Sequence, residues 1–341
     1  MSGPPPIASP QQLLGVAMNG LTLHQTLYVA AVLGVADQLE RGPAPTADLA
    51  RRLDVDESAL YRVLRYLASQ GVFAETAPRS FANNDLSRSL RAGVPGSLRP
   101  ILLFRGSDYC FEPYGKILHS VRTGLPARSA VYGMDSFEYL REHPDDARIF
   151  DDAMTAITAM MAPAVAHAYD FGAWESLTDV GGGNGLLLAE ILRVHPRLRG
   201  VLAEQPDVLE RARERGFLGG ELAARSGYAA CDFFREIPTG TRAYLMKSVI
   251  HDWDDERARE ILRHCRRAVP ADGALLLVES RLPEDSAPAP GKLVDIAMLL
   301  LTGGRERTTE EYRALLAEGG FRLSRVVVAA PEIVIIEAMP V

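Results

Sequence analysis

The sequence predicts an α/β protein in two parts. A doubly wound sheet with helices on both faces fills residues 171–341, and an α-helical, winged-helix-like half precedes it. Three observations carry this. From Leu177 onward, short apolar runs of strand length alternate with stretches of helix length, as in a parallel sheet wound by crossover helices. Between the first such strand and the first such helix lies Asp179-Val180-Gly181-Gly182-Gly183-Asn184-Gly185, a glycine run that lets backbone approach a ligand. Residues 46–83 read as two helices followed by two short strands, a helix-turn-helix with a wing.

A length of 341 residues exceeds the roughly 100–200 that one core usually holds, so more than one domain is expected. Apolar residues at 47% and charged residues at 24% describe a packed globular chain and exclude a disordered or rod-like one. With 37 basic against 44 acidic side chains the net charge is −7, which argues against nucleic acid as a partner. Cys110, Cys231 and Cys265 are odd in number and far apart, so neither a disulfide framework nor a metal site is expected, and a cytoplasmic location fits. The first residues lack a basic leader, and the longest apolar run, Leu27–Ala36, falls short of the ~20 residues that cross a bilayer, so no membrane association is expected.

Taken in order, residues 1–10 hold four prolines and read as a disordered lead-in. Residues 11–97 form the winged-helix-like part. Its first helix runs from Leu13 to Leu39 with apolar residues on most of its circumference, so a partner subunit is expected to cover it. Thr46 is expected to cap ADLARRL and Ser58 or Asp56 to cap ESALYRVLRYLASQ, which stops at Gly71. The strands VFAE and RSFANN flank Ala77-Pro78. Between Thr46 and Arg91 seven basic residues face six acidic ones, too even a balance for a DNA reader. Residues 98–170 read as helical, with Met154, Ile157, Met160 and Met161 forming a soft strip that serves either core packing or a pocket wall. The sheet domain closes with FRLSRVVVAA and EIVIIEAM, an antiparallel hairpin turning at Pro331, and LPEDSAPAPGK reads as a surface loop.

The glycine spacing G-x-G-x-G differs from the G-x-G-x-x-G of pyrophosphate binding, since Leu186 stands where the last glycine would be needed. A nucleoside ligand without a pyrophosphate is favoured. Glu204 ends the second strand 19 residues after Gly185, within reach of a ribose diol, and Asp232 with Phe233 suits an adenine amino group and base face.

DVGGGNG, CDFF, LMKSVIHDWDD, LLLVES and TGGRERT, in that order, resemble the S-adenosylmethionine-dependent O-methyltransferases of the plant caffeate type, in their bacterial natural-product branch. The resemblance runs from about residue 13 nearly to the end. It implies a Rossmann-like methyltransferase domain behind a dimerisation domain, a homodimer, an aromatic acceptor and no metal. It assigns Gly181, Gly183, Glu204, Asp232, Phe233, Lys247 and Trp253 to the cofactor. His251 becomes the base, with Glu279 and Glu306 flanking it. Met154, Met161, Asp252 and Met298 fall in the acceptor pocket. Two positions depart from the family pattern: Glu204 stands for the usual Asp, and Cys231 for the usual Gly.

A sulfonium methyl is already activated, so the protein has to align an acceptor oxygen and remove its proton. An unperturbed imidazole near 6.5 is a weaker base than a phenolate near 10, so proton transfer should be coupled to attack. A carboxylate on the other ring nitrogen would fix the tautomer. The fold also serves hydroxylases, decarboxylases and pericyclic catalysts, and a winged helix can belong to a regulator. His251 with two glutamates favours methyl transfer over the former, and the even charge balance disfavours the latter.

Overall fold

The computed structural model describes residues 7–341, which divide into two compact units. The smaller holds residues 7–111 and Arg148–Ala156, and the larger holds Glu112–Ala147 and Ile157–Val341. The unit boundaries thus fall inside the 98–170 segment that the sequence reads as one helical stretch. Most of the lead-in expected over residues 1–10 lies outside the described residues.

In the smaller unit the first helix, Pro10–Val32, starts ahead of the expected Leu13, because Ser9 accepts a hydrogen bond from the Gln12 amide. It does not reach Leu39. Gly34, at φ 63°, breaks the run, and a short helix resumes over Val35–Gln38. The helices Thr46–Leu53 and Glu57–Ser69 form the predicted pair, and Asp56 caps the second through the Ala59 amide at 2.7 Å. Thr46 does not cap the first. Its hydroxyl donates to the Arg79 carbonyl at 2.9 Å, so this residue ties helix to wing instead. The wing is a small antiparallel sheet of β1 (Ala44–Pro45), β2 (Phe73–Ala77) and β3 (Ser80–Asn83), in the order β1-β3-β2. Leu49, Leu60, Leu64, Leu67, Phe73 and Phe81 make its core.

The larger unit is built on seven strands. In chain order they are β4 (Ser176–Val180), β5 (Arg199–Glu204), β6 (Ser226–Ala230), β7 (Ala243–Lys247), β8 (Ala274–Ser280), β9 (Phe321–Ala330) and β10 (Ile333–Pro340), and in space β6-β5-β4-β7-β8-β10-β9. The first five are parallel, while β10 runs antiparallel to both β8 and β9. Alternate residues feed opposite faces: Tyr244 and Met246 pack with the helices Asp255–Ala268 and Thr309–Glu318, whereas Ala243 and Leu245 pack with Leu186–Val194 and Pro206–Arg215. The final hairpin turns on two residues, Pro331 and Glu332, rather than on Pro331 alone, with Glu332 at φ 67°.

A helix at Pro290–Leu301 begins inside the expected loop LPEDSAPAPGK, since Pro290 at its first turn is compatible with a helix start. The helix Pro144–Ala168 is long and apolar enough to cross a membrane by length and composition; its Ala162, Val165 and Ala166 are buried in the core of the larger unit. The strand order reverses between β4 and its neighbours β5 and β7, the place where open α/β sheets hold ligands beyond the strands' carboxyl ends.

Candidate active site

The glycine loop leaves β4 with Gly181, Gly183 and Gly185 all at positive φ, 70°, 58° and 81°, a path that side-chain-bearing residues rarely follow. A Cβ on Gly183 would meet nothing within 4 Å, so the loop presents bare backbone to open space there; one on Gly181 would press against Val249 at 2.9 Å. Glu204, at the end of β5, accepts from the Gly183 amide at 3.2 Å and from the Gln205 amide at 2.7 Å, which fixes its carboxylate beside the loop. Asp232 follows β6 by two residues. One oxygen accepts from the Phe234 amide at 3.0 Å and the other pairs with Arg235 at 3.3 Å. Phe233, Phe234 and Trp253 form an aromatic cluster with centroids 4.6–6.1 Å apart. Lys247, at the end of β7, donates to Thr158 at 3.2 Å.

Asp179 bears directly on what this loop can hold. It is fully buried at the end of β4, and neither carboxylate oxygen has a hydrogen-bond partner. Burial and the Glu204 charge push its carboxyl up to about 7, against the pull of Lys247. A Cβ on Gly182 would lie 2.4 Å from its Oδ2, so only glycine lets the loop fold over it. An orphaned buried acid beneath a bare glycine loop fits a cationic, nucleoside-bearing ligand, and the ammonium of S-adenosylmethionine is such a group. The sequence motif contains Asp179, but only its burial reveals the missing partner.

His251 sits in the one-turn 3₁₀ helix Ile250–Asp252 just after β7. Its Nδ1 lies 2.7 Å from Glu306 Oε1 and 3.8 Å from Glu279 Oε2, while Asp252 Oδ1 is 3.8 Å from Nε2. The two glutamates make different contacts. Glu306 accepts from the ring, which in the neutral imidazole leaves Nε2 as the acceptor nitrogen, and Glu279 accepts from the Ile250 amide at 3.1 Å, pinning the turn. Both acids are about 1% exposed, and each has one oxygen, Oε2, without a hydrogen-bond partner. Burial alone would lower the imidazole pKa, but the charges of Glu279 and Asp252 and the Glu306 hydrogen bond outweigh it and raise it to about 10. Burial in turn raises Glu279 to about 7 and also raises Asp252. Lys247 is lowered by burial, offset in part by Glu279, Asp179 and Asp252.

Glu306 reaches the ring because residues 304–308 lie against the turn. Leu282 donates its amide to the Arg307 carbonyl at 3.1 Å, continuing the line of β8 beside Glu279. The Arg305 amide donates to the His251 carbonyl at 2.9 Å. A Cβ on Gly304 would stand 2.0 Å from that carbonyl oxygen, so the close approach requires glycine.

His251, Asp252, Glu279, Glu306 and Lys247 therefore come together in the larger unit, with Asp179 and Glu204 at neighbouring strand ends. Met161 and Met298 are half-buried on the helices Pro144–Ala168 and Pro290–Leu301 of that unit, and the Met298 sulfur lies 3.8 Å from the Thr302 hydroxyl. Met154, on the same helix Pro144–Ala168, belongs to the smaller unit, and Met160 is exposed. Among the described residues no group of three or more His, Cys, Asp or Glu has the arrangement to hold a metal.

Comparison with known proteins matches this geometry to a family. The O-methyltransferase domain model matches residues 114–322, and the O-methyltransferase dimerisation domain model matches residues 17–93. The chain is 42% identical over 324 residues to a phenazine O-methyltransferase of Lysobacter antibioticus, covering 95% of this chain and 94% of that protein. It is similar to the solved structure of a mitomycin 7-O-methyltransferase, with a TM-score of 0.91 at 35% identity over 97% of this chain and 98% of that one. It is also similar to an O-methyltransferase from neocarzinostatin biosynthesis solved with S-adenosyl-L-homocysteine and 1,4-dihydroxy-2-naphthoic acid, with a TM-score of 0.82 at 29% identity over 94% and 96% of the two chains. A glycine loop built for a nucleoside, a histidine with two buried glutamates beside its Nδ1 and matches over both halves place this chain in the family of S-adenosylmethionine-dependent O-methyltransferases.

Proposed function

We propose that the protein methylates a phenolic hydroxyl of a planar aromatic natural product, with His251 as the general base. The observation that carries this reading is the 2.7 Å contact between His251 Nδ1 and Glu306, which leaves Nε2 free of the glutamates and able to take a proton. Gly181 and Gly183 would give backbone to the cofactor, Glu204 would accept from its ribose, Asp232 and Phe233 would hold the adenine, with Trp253 beside them, and Asp179 and Lys247 would meet its amino-acid end. When bound, S-adenosylmethionine supplies the activated methyl group.

The chain's own residues then have two tasks. Asp252 and the half-buried Met161 and Met298 would orient the acceptor, and the methionines would keep the reacting oxygen dry. His251 would remove the hydroxyl proton. The carboxylates around it raise its pKa, so the neutral ring is a stronger base toward a phenol than an ordinary imidazole, and the ring must shed its own proton before it can act. The domain assignment follows: residues 11–97 for dimerisation, 98–170 as a helical connection bordering the acceptor pocket, and 171–341 for cofactor and chemistry. The protein would act as a homodimer.

A hydroxyphenazine is the acceptor to test first, given the phenazine-acting relative. With it, His251→Ala should lower turnover by about 100- to 10,000-fold while leaving S-adenosylhomocysteine affinity by calorimetry nearly unchanged. Glu204→Ala should do the reverse, weakening binding about 10- to 100-fold through lost charge-assisted hydrogen bonds. A His251→Ala enzyme within a few-fold of the wild type overturns the base assignment.

A further inference from the structure

Arg307 is a guanidinium about 1% exposed, immediately after Glu306, with all five N–H donors engaged. Nη1 donates to the carbonyls of Ile250 and Arg305, both at 3.2 Å. Nη2 donates to the Trp253 carbonyl at 3.0 Å and to Asp255 at 2.7 Å, and Nε to the same Asp255 oxygen at 3.1 Å. The carbonyls of Ile250 and Trp253 bracket the turn that carries His251. With Arg305 bonded to the His251 carbonyl and Glu306 to its ring, three consecutive residues grip one turn of backbone.

We infer that Arg307 is a positioning residue for methyl transfer: its planar fork sets the backbone of the 250–253 turn so that the imidazole meets Glu306 on one side and presents Nε2 on the other. The inference rests on His251 being the base. It adds a residue that touches neither acceptor nor cofactor in that reading, and that acts through the turn.

The chemistry of the fork explains why arginine stands here. Its five donors lie in one plane and reach two carbonyls three residues apart while anchoring to Asp255; a lysine offers three donors from a single point and cannot span them. The charge matters separately. His251 faces Glu279 from β8, Glu306 from the 304–308 segment and Asp252 from its own turn; Lys247 from β7 acts on Glu279 and Asp252, and the buried Tyr312 phenol on the two glutamates. Arg307 opposes the acids in this set and holds Glu279 toward its ionised form. Removing the charge should therefore make Glu279 keep its proton to higher pH, and move the limb it shares with His251 the same way.

Two variants separate geometry from charge. Arg307→Lys keeps the cation and loses the fork: turnover should fall on the order of 10- to 100-fold, as a misplaced catalytic group does, with S-adenosylhomocysteine affinity within about two-fold and the ascending limb of the kcat pH profile unmoved. Arg307→Met loses both, so turnover should fall and that limb should shift to higher pH. Should Arg307→Met fail to fold, Arg307→Lys decides alone. Wild-type turnover in Arg307→Lys overturns the proposal, and so does a parallel loss of cofactor affinity and turnover, which a merely structural role would give. His251→Ala assayed beside them keeps the two readings apart. An active His251→Ala removes the base assignment underneath, whereas an inactive one beside a fully active Arg307→Lys removes only the positioning role.

Discussion

At the scale of single residues, the pH dependence of activity follows from how His251 is surrounded. Its imidazole pKa is raised from 6.5 to about 10 because three nearby carboxylates outweigh burial. The bound proton stabilises the folded protein fully below pH 6.5, and that contribution is lost as pH rises through about 10. Activity has the opposite sign, since the ring must be neutral at Nε2 to accept a proton. The ascending limb of kcat/KM should accordingly lie above 6.5, and its midpoint belongs to His251, Glu279 and Asp252 together. Glu306→Gln keeps an acceptor for Nδ1–H but removes a charge, so the limb should move down toward 6.5 while turnover falls. A pH profile of both enzymes checks this, and a limb at the same pH in the two would contradict the assignment of Glu306.

At the scale of elements, the turn that carries His251 exists because three segments meet it: β7 delivers it, β8 pins it through Glu279, and residues 304–308 lie along it. The meeting requires Gly304, whose missing side chain leaves room for the His251 carbonyl. Gly304→Ala should push the 304–308 segment off the turn and separate Glu306 from the ring. Overpacking of this kind costs about 1–3 kcal/mol, so thermal unfolding should shift down by several degrees and turnover should fall with it. An alanine variant with wild-type melting and rate would show that the segments slide apart without consequence. Such elements differ in how far the sequence announces them. Strands β4, β5, β7 and β8 are legible because each is a short apolar run bounded by turn residues, Glu204, Asp232 and the glycine loop through their spacing along the chain, and His251 through the family resemblance of its motif, whereas Asp179 emerges only from its burial. The helix Pro290–Leu301 is not, since Leu293 to Leu301 is apolar on nearly every side and shows no 3.6-residue alternation. Thr46 has a cap's sequence context, but its hydroxyl is taken by Arg79, 33 residues away. Arg307 looks like a surface charge in GGRERT, and its carbonyl partners Ile250 and Trp253 lie more than 50 residues earlier.

At the scale of the whole molecule, the first helix sets a requirement that the chain does not meet by itself. Only Ala30 and Ala31 are buried in Pro10–Val32, while Leu13, Leu14, Val16, Met18 and Leu21 are all more than half exposed. Leu14, Met18 and Leu21 stand at i, i+4 and i+7, one continuous stripe on a helix with no charged side chain to keep it in water. An apolar surface of that kind on a folded protein marks a site of association, and the dimerisation-domain match covers residues 17–93. The expected assembly is a homodimer that buries on the order of 2,000 Å² or more, the range of obligate contacts. Such a contact would be dominated by hydrophobic transfer, so placing charges in the stripe should be costly while leaving the catalytic unit's own core intact. The double variant Leu14→Glu with Met18→Glu should dissociate in light scattering across a dilution series. Turnover should fall with dissociation, while the larger unit keeps its affinity for S-adenosylhomocysteine, because the glycine loop, Glu204 and Asp179 all belong to that unit. A monomeric variant that is fully active at micromolar concentration would contradict the requirement for a partner; a variant that stays dimeric would move the interface away from this helix.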